Sequence, residues 1–357
     1  MVDSPSNKIP VTVLGATGMV GQQFVRLLAS HPWFEITAVT GAGHSTGRPY
    51  AETTRWLEPE PIPDRIAAMP LRRPEPALGG RITFSALETD GAAAIEVEFA
   101  RAGIVVISLS GAHRLEASVP LIIPEVNAEH LVLVERQRRE RKWPGAIIAN
   151  PTCGTTGLIL AVAPLHRAFG IERMIVTSLQ ALSGSGYPGL SSLDVLGNVI
   201  PLIPGEEERI ETETRRLLGQ LQGTVVTEAP LAVGVHAHRV PVLDGHLQSV
   251  SIGFRRKSTP ADAIAVLEGA RLTPDISSLP SSPSRPVVVD SRLDRPQPRL
   301  DAGRERGMAA IVGRVRACPV LDLRLVVASH NRIRGAAGGA ILTAELMNAK
   351  GFFNGTP

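Results

Sequence analysis

The stretch VTVLGATGMVG, residues 11–21, runs from a short apolar strand directly into a glycine-rich turn. Apolar residues at helical spacing follow it, and a second apolar strand over residues 34–39 completes a βαβ unit. Such a turn places backbone N–H groups and a helix N-terminus where they can bind a pyrophosphate. Because the spacing is GxxGxxG rather than GxGxxG, a turn needed only to pack the helix on the sheet is the alternative.

The dinucleotide interpretation predicts which residues contact the cofactor. In the turn and the start of the helix they are Gly15, Thr17, Gly18, Met19, Val20 and Gly21. An NAD-selective site usually has an acidic residue after the second strand, and the loop 40–48 contains none. Ser45 and Arg48 in that loop suit a 2′-phosphate, so the sequence favours NADP(H), with an ordinary surface loop as the alternative.

One of the two cysteines, Cys153, lies in the motif ANPTCGTTG, residues 149–157. The motif follows an apolar run and precedes a segment with helical spacing, which predicts that the sulfur lies at a helix N-terminus. The helix dipole favours a thiolate there, and the small neighbours leave room for a substrate carbonyl. A nucleophile with an oxyanion site is one interpretation, and a buried structural thiol is the other.

A thiol adduct needs a proton acceptor, and His246 is the candidate among nine histidines. It follows the turn Asp244-Gly245 at the start of an alternating strand, where a purely structural role is equally compatible. His236 and His238 have the spacing of a metal pair, but no further ligands complete a set, and no metal site is predicted. The glycine-rich stretch 331–339 opens a final helix and supplies two more candidate cofactor contacts, Asn331 and Gly335.

Length and charge limit the classes of protein. A chain of 357 residues is too long for one ordinary core, so two domains are expected. The net charge of +3 comes without a long Lys/Arg block, which argues against nucleic-acid binding. No apolar run reaches the roughly 20 residues of a membrane span, and the start, Met1–Lys8, is polar and unlike a signal peptide. We expect a cytoplasmic protein.

Several motifs together, in their order along the chain, resemble those of one family. They are residues 15–21, 119–127, 149–157, 180–189, 198–201, 205–208, 239–246 and 330–338. They resemble the aspartate-β-semialdehyde dehydrogenases, specifically the archaeal and fungal-like branch. The alternation of strands and helices already predicts an α/β chain with a doubly wound sheet.

The resemblance implies a Rossmann-type doubly wound dinucleotide domain plus an α+β glyceraldehyde-phosphate-dehydrogenase-like catalytic and dimerisation domain. The NADP-binding domain would span 1–150, the catalytic and dimerisation domain 151–330, and a C-terminal helix within 331–357 would return to the first domain. A homodimer or homotetramer is expected. The implied reaction is NADPH-dependent reductive dephosphorylation of L-β-aspartyl phosphate to L-aspartate-β-semialdehyde through a Cys153 thioester.

The resemblance also assigns roles to residues at the matching positions. Cys153 is the implied nucleophile, His246 takes the proton, and Gln180 orients the adduct. Arg239 is the implied clamp for the substrate carboxylate. The remaining implied contacts are Glu206 or Glu207 for the substrate ammonium, Arg114 and Arg209 for phosphate, and Ser183 and Gly184 for the cofactor. For Glu206, Glu207, Arg114 and Arg209, a surface ion pair is the alternative to a substrate contact.

Three positions depart from the family pattern and leave the acyl group open. Thr152 stands where the family commonly has Asn, Leu109 stands in place of an amide, and Arg209 replaces a common Lys. A malonyl-CoA reductase, or a reductase of another acyl phosphate, would keep Cys153, His246 and NADPH. A non-catalytic NADP-binding homologue is the alternative from another class.

Overall fold

The computed structural model describes residues 8–41 and 43–353. Ala42 of the predicted 2′-phosphate loop and all but the last residue of the polar start lie outside the described residues. The chain divides into two compact units. The first comprises Met1–Pro120, Leu131–Asn150 and Ala340–Pro357, and the second comprises Leu121–His130 and Pro151–Gly339. The predicted functional domains 1–150, 151–330 and 331–357 stay predictions.

Strands and helices are interspersed along both units of the chain. The strands are β1 Ile9–Leu14, β2 Phe34–Val39, β3 Ile82–Ser85, β4 Val105–Ser108, β5 Ala146–Ala149, β6 Ile171–Gln180, β7 Gln220–Gln222, β8 Val225–Thr227, β9 Ala232–Arg239, β10 His246–Phe254, β11 Val287–Asp290, β12 Ala310–Ala317 and β13 Leu323–Ser329. The α-helices are α1 Met19–Leu28, α2 Tyr50–Thr53, α3 Asp64–Ala67, α4 Thr89–Arg101, α5 Pro124–Asn127, α6 Leu133–Arg141, α7 Cys153–Phe169, α8 Ser192–Val195, α9 Glu206–Leu217, α10 Pro260–Gly269, α11 Pro274–Ser277, α12 Pro298–Asp301 and α13 Gly338–Ala349.

The first unit is built on a five-stranded parallel sheet with the order β2-β1-β3-β4-β5. The strands β3, β4 and β5 are buried at every position, as expected for a parallel sheet whose two faces are covered by helices. Phe24 of α1 stacks on Phe84 of β3 with ring centroids 4.9 Å apart, which fixes the first helix on the sheet. The Rossmann-type prediction is confirmed.

The second unit is built on a six-stranded mixed sheet with the order β11-β12-β13-β10-β6-β9. β10 is antiparallel to both β13 and β6, while β9 runs parallel to β6. The long helix α7 contacts four of these strands. Burial alternates along β6 as the sequence pattern predicts for a strand with one face covered. The α+β prediction for this part of the chain is confirmed.

The strand register places three candidate site residues at the same end of adjacent strands in this sheet. β6 ends at Gln180 and β9 ends at Arg239, and these two residues are direct partners in the ladder. β10 runs the other way and begins at His246, next to the pairing of Leu247 with Leu179. Gln180, Arg239 and His246, which lie far apart in the sequence, are therefore neighbours at this end of the sheet.

The final helix begins at Gly338, within the glycine-rich stretch that was predicted to open it, and a short π-helix over Ile333–Ala337 precedes it. Residues 58–76 are rich in proline, as their sequence shows, and include one helical turn, α3. No helix in the described residues is both long and apolar enough to cross a membrane.

Candidate active site

The sequence prediction for Cys153 is confirmed in one respect, because it is the first residue of α7. Thr152 precedes the helix in an extended conformation, and its N–H donates to Glu213 Oε2 at 2.7 Å. The Cys153 Sγ lies 3.1 Å from Nε2 of His246. Because helix N-termini and hydrogen-bond donors stabilise a thiolate, this environment favours a nucleophilic sulfur.

Two glycines, Gly335 and Gly154, allow close packing around Cys153 and its neighbours. A Cβ on Gly335 would lie 2.6 Å from the Cys153 Cβ and 2.8 Å from its Cα. A Cβ on Gly154 would lie 2.8 Å from Nε2 of Gln180 and 2.9 Å from Oε1 of Glu206. At Gly335 the contacts are with rigid atoms, so the observed packing requires glycine there, whereas a side chain at Gly154 would displace the ends of Gln180 and Glu206.

His246 is 1% exposed, and both of its ring nitrogens have partners. The Ala181 N–H donates to Nδ1 at 3.1 Å, opposite the contact between Nε2 and Cys153. Burial lowers the pKa of His246 to about 3, and the positive charge of Arg239 acts in the same direction. The ring is therefore neutral across the physiological pH range.

Arg239 lies in the same pocket as the cysteine. Its Nη1 donates to the Ala181 carbonyl at 2.7 Å, and its side chain is buried. Burial lowers the pKa of Arg239, while the negative charges of Cys153 and Glu206 act against this shift. A Cβ on Gly184 would lie 2.6 Å from Nη1, which places this predicted cofactor contact against the guanidinium.

The structure distinguishes Glu206 from Glu207, which the sequence left as alternative ligands for the substrate ammonium. Glu206 is buried, its Oε1 accepts a hydrogen bond from Gln180 Nε2 at 2.9 Å, and its Oε2 lies 3.3 Å from Arg209 Nη1. Glu207 faces away, because its Oε1 accepts a hydrogen bond from the Ala237 N–H on β9. Glu206 therefore shares the site with Gln180, and Glu207 serves the adjacent strand.

Asn331 connects the turn that precedes His246 with the turn that follows β6. Its Oδ1 accepts from the Gly245 N–H at 2.8 Å, and its Nδ2 donates to Ser183 Oγ at 2.8 Å. The amide of Asn331 thus links the turn that leads into His246 to the turn that contains Ser183. This positioning role is not visible in the sequence, since the three residues are up to 148 positions apart. The predicted cofactor contacts of Asn331 and Ser183 stay predictions.

The glycine turn of the first unit has the geometry that a pyrophosphate requires. Gly15 has φ +70°, and a Cβ on Gly21 would lie 2.1 Å from the Gly15 carbonyl oxygen, so α1 packs closely on the turn. α1 begins after Gly18, and among the described residues its first turn has neither an acidic side chain nor a side-chain cap. These residues fit a dinucleotide, whose phosphates the N–H groups at the start of α1 would bind.

A cation from elsewhere in the chain, Arg73, lies beside the loop after β2 and was not among the predicted cofactor contacts. A Cβ on Gly43 would lie 3.9 Å from Nε of Arg73, so this exposed guanidinium adjoins the loop that contains Ser45 and Arg48. Arg73 is brought there because its neighbour Arg72 forms a bridge with Thr40. Sequence reasoning did not point to Arg73, because it lies in the proline-rich segment 58–76, where no cofactor contact was expected. Arg48 itself is exposed, 3.6 Å from Glu52.

Two further predictions concern phosphate and metal binding. Arg114 belongs to the first unit, is 8% exposed and donates through Nη2 to the Leu109 carbonyl, so its phosphate role stays a prediction. His236 and His238 stack with ring centroids 6.2 Å apart. Within the described ranges, no group of three or more His, Cys, Asp or Glu side chains is arranged to hold a metal ion.

A Rossmann-type unit and a cysteine–histidine pair in one chain define the class of nicotinamide-dependent dehydrogenases that act through a cysteine adduct. Two family models match this chain. The model described as "semialdehyde dehydrogenase, NAD binding domain" covers residues 10–134, and "semialdehyde dehydrogenase, dimerisation domain" covers residues 162–334.

Known relatives match nearly the full length. An aspartate-semialdehyde dehydrogenase of Archaeoglobus fulgidus is 44% identical over 94% of this chain and 97% of its own. The crystal structure of aspartate semialdehyde dehydrogenase with NADP from Candida albicans has a TM-score of 0.90 at 37% identity, covering 97% and 100% of the two chains. A malonyl CoA reductase (NADP) of Metallosphaera sedula is 35% identical over 97% and 98%. The chain belongs to the aspartate-semialdehyde dehydrogenase family, and it is an oxidoreductase, so the resemblance to this family is confirmed.

Proposed function

We propose that this chain catalyses the NADPH-dependent reductive dephosphorylation of L-β-aspartyl phosphate to L-aspartate-β-semialdehyde. The observation that carries the proposal is the 3.1 Å contact between Cys153 and His246 at the start of α7. The buried cation Arg239 and the buried anion Glu206 lie in the same site and suit the carboxylate and ammonium of an amino acid. A malonyl thioester has no ammonium group for Glu206 to bind, which disfavours the malonyl-CoA alternative.

The residues supply the steps that surround hydride transfer. The Cys153 thiolate attacks the acyl phosphate carbon, and phosphate leaves as a thioester forms. The amide groups at the start of α7 stabilise the oxyanion, while Gln180 orients the adduct. The glycine turn of the first unit would hold NADPH, which would supply the hydride for reduction of the thioester to the aldehyde. Arg114 and Arg209 are the proposed phosphate ligands.

The wider organisation follows from the same proposal. Residues 1–150 are assigned to NADP binding, 151–330 to catalysis and dimerisation, and the helix within 331–357 to the cofactor domain. We expect a homodimer or homotetramer in the cytoplasm, measurable by light scattering of the purified protein and by fractionation of cells.

Parallel assays of two substrates test the proposed function. We expect NADP⁺ reduction with aspartate semialdehyde to require phosphate, because the thioester must transfer its acyl group to that acceptor. NADPH oxidation with malonyl-CoA is expected to be at background in the same preparation. Activity with malonyl-CoA alone would overturn the proposal.

Glu206 and Glu207 provide a matched pair for the substrate ammonium. We expect Glu206→Gln to raise KM for aspartate semialdehyde by roughly 10- to 100-fold, because a buried ion pair with the ammonium is lost. Glu207→Gln should change KM less than about twofold, since its carboxylate contacts β9. Steady-state kinetics at saturating NADP⁺ measure both. Equal effects of the two substitutions would remove Glu206 from this role.

The loop cations determine the expected preference for NADPH. We expect Arg48→Ala and Arg73→Ala each to raise KM for NADPH by about fivefold, the size typical of an exposed charge contact. KM for NADH, which lacks the 2′-phosphate, should not change. The ratio of the two constants is the measurement, and a parallel loss with both cofactors would contradict a 2′-phosphate contact.

A further inference from the structure

The hydroxyl of Thr152 does not cap the helix that this residue precedes. Thr152 is the N-cap residue of α7, and its side chain makes no capping hydrogen bond there. A threonine at this position ordinarily accepts a hydrogen bond from one of the first N–H groups of its own helix. Here Oγ1 of Thr152 instead donates to Glu206, 3.3 Å from each carboxylate oxygen. The side chain immediately before the nucleophile is therefore directed at the proposed ammonium ligand.

Two carboxylates of α9 hold Thr152 between them. Glu206 and Glu213 lie two turns apart on one face of this helix. Glu206 accepts the hydrogen bond from the hydroxyl of Thr152, and Glu213 accepts the one from its backbone N–H. Thr152, Glu206 and Glu213 are 7%, 4% and 1% exposed, so water does not compete for these hydrogen bonds. The residue joined to Cys153 is thus fixed through both its backbone and its side chain.

The carboxylate of Glu206 retains capacity for a ligand. Among the described residues its donors are the Thr152 hydroxyl, Gln180 Nε2 at 2.9 Å from Oε1 and Arg209 Nη1 at 3.3 Å from Oε2. The hydroxyl has a single proton, which its two equal distances share between the oxygens. A carboxylate offers about four acceptor positions, so roughly one remains for the N–H of a substrate ammonium.

Of these three donors, the hydroxyl is the one that contacts both oxygens. Gln180 and Arg209 each bind a single oxygen, through long side chains that lose rotamer freedom when they do so. The Arg209 side chain is also half exposed, so solvent weakens its pairing with Glu206. Thr152 is buried and β-branched, with few accessible rotamers, so the position of its hydroxyl is well defined.

We propose that Thr152 is a positioning residue for recognition of the substrate amino group, because its hydroxyl holds the Glu206 carboxylate in the orientation that receives the ammonium. The inference deepens the proposed function and rests on it for the identity of the amino acid. Since Thr152 is covalently joined to Cys153, the ammonium ligand and the nucleophile are placed relative to each other through one residue. The position at which the chain departs from the family pattern thus contributes to selection of an amino-acid substrate.

Removal of the hydroxyl should affect only a substrate that carries an ammonium group. We expect Thr152→Val to lower kcat/KM for aspartate semialdehyde by about tenfold, the lower end of what a hydrogen bond to a charged group contributes. Succinate semialdehyde has the same carbon chain without the amino group, and its kcat/KM should change less than about twofold. The loss should lie mainly in KM, because the nucleophile is unchanged. Steady-state rates at saturating NADP⁺ and phosphate measure both substrates.

Two variants control for the change of side chain. Thr152→Ser keeps the hydroxyl and should retain the wild-type preference between the two aldehydes. Thr214→Val is the matched control on α9, because the Thr214 hydroxyl is buried and has no hydrogen-bond partner among the described residues, and it should leave both constants as in the wild type. A purely structural role of Thr152 would lower both constants alike. That result, an unchanged preference in Thr152→Val, or a serine variant that behaves like valine would overturn the proposal.

Thermal unfolding of the substrate-free protein tests the same hydrogen bond without turnover. Thr152→Val removes a donor from the buried Glu206 carboxylate, so Tm should fall by about 2–4 °C. In a Glu206→Ala background the hydroxyl has already lost its acceptor, and the same substitution should leave Tm equal or higher. Differential scanning calorimetry of the four proteins gives the comparison. An equal fall in both backgrounds would show that the hydroxyl acts elsewhere and would contradict the proposal.

The two measurements separate this inference from the proposed function. If the wild type preferred succinate semialdehyde or malonyl-CoA to aspartate semialdehyde, the proposed function would fail, and the unfolding comparison would still decide whether the hydroxyl holds Glu206. If aspartate semialdehyde proved to be the substrate but Thr152→Val lost activity equally with both aldehydes, only the inference about Thr152 would fail. A selective loss with aspartate semialdehyde, together with a Tm effect that depends on Glu206, would support both.

Discussion

Cys153→Ala is expected to lower turnover by about 10⁴- to 10⁶-fold, the range seen when a covalent nucleophile is removed. The physical reason is that both the C–S bond and the thioester depend on this sulfur, and the oxyanion site alone cannot replace a covalent step. Turnover with aspartate semialdehyde, NADP⁺ and phosphate measures the loss. Titration of NADPH fluorescence should give an unchanged Kd, because the glycine turn is intact.

Cys318 is the matched control for this substitution. It adjoins the turn between β12 and β13, where its sulfur accepts from the Leu321 N–H, and it takes no part in the proposed site. Cys318→Ala should keep wild-type kcat. If iodoacetamide inactivated Cys153→Ala and the wild type alike, or if Cys153→Ala kept substantial activity, the nucleophile would have to be sought elsewhere.

The periodic parts of this fold could be predicted because their patterns are local. β10 begins at His246, where the alternating pattern predicts a strand to start, and the predicted helix start at Cys153 is confirmed. The π-helix over Ile333–Ala337 and the short strand β11 were not predicted. An extra residue in a helical turn leaves little sequence signal, and the three valines of β11, between a proline and an aspartate, do not distinguish a strand from a loop.

The candidate site shows the same division between local and long-range information. Residue types and motif order predict Cys153 and His246 as the catalytic pair, but the backbone hydrogen bond that orients His246 comes from Ala181, 65 residues away. The choice between Glu206 and Glu207 likewise depends on partners on β6 and β9. Adjacent helix positions point about 100° apart, so only the placement of α9 against those strands decides between them.

Gly335→Ala is expected to lower kcat by about 100-fold, the penalty associated with misplacing a reacting group by roughly 1 Å. The added Cβ would lie 2.6 Å from the Cβ of Cys153 and 2.8 Å from its Cα, so the start of α7 and the π-helix must separate. Both contacts are to rigid parts of the structure and not to the end of a flexible side chain. The free energy of unfolding should fall by about 1–3 kcal/mol, as for other overpacked cores.

Gly303→Ala is the control, because a Cβ there meets no atom within 4 Å and its φ of −80° suits alanine. It should leave kcat unchanged and stability equal or slightly higher. The rate of Cys153 alkylation gives a second measurement, since a displaced sulfur loses its contact with His246 and reacts at a different rate. If Gly335 instead acts through the cofactor, its substitution would raise KM for NADPH and leave both kcat and the alkylation rate as they were. A change in kcat would show that this glycine positions the nucleophile, as its contact with Cys153 indicates. A change only in KM for NADPH would show that it contacts the dinucleotide, as the sequence alone suggested.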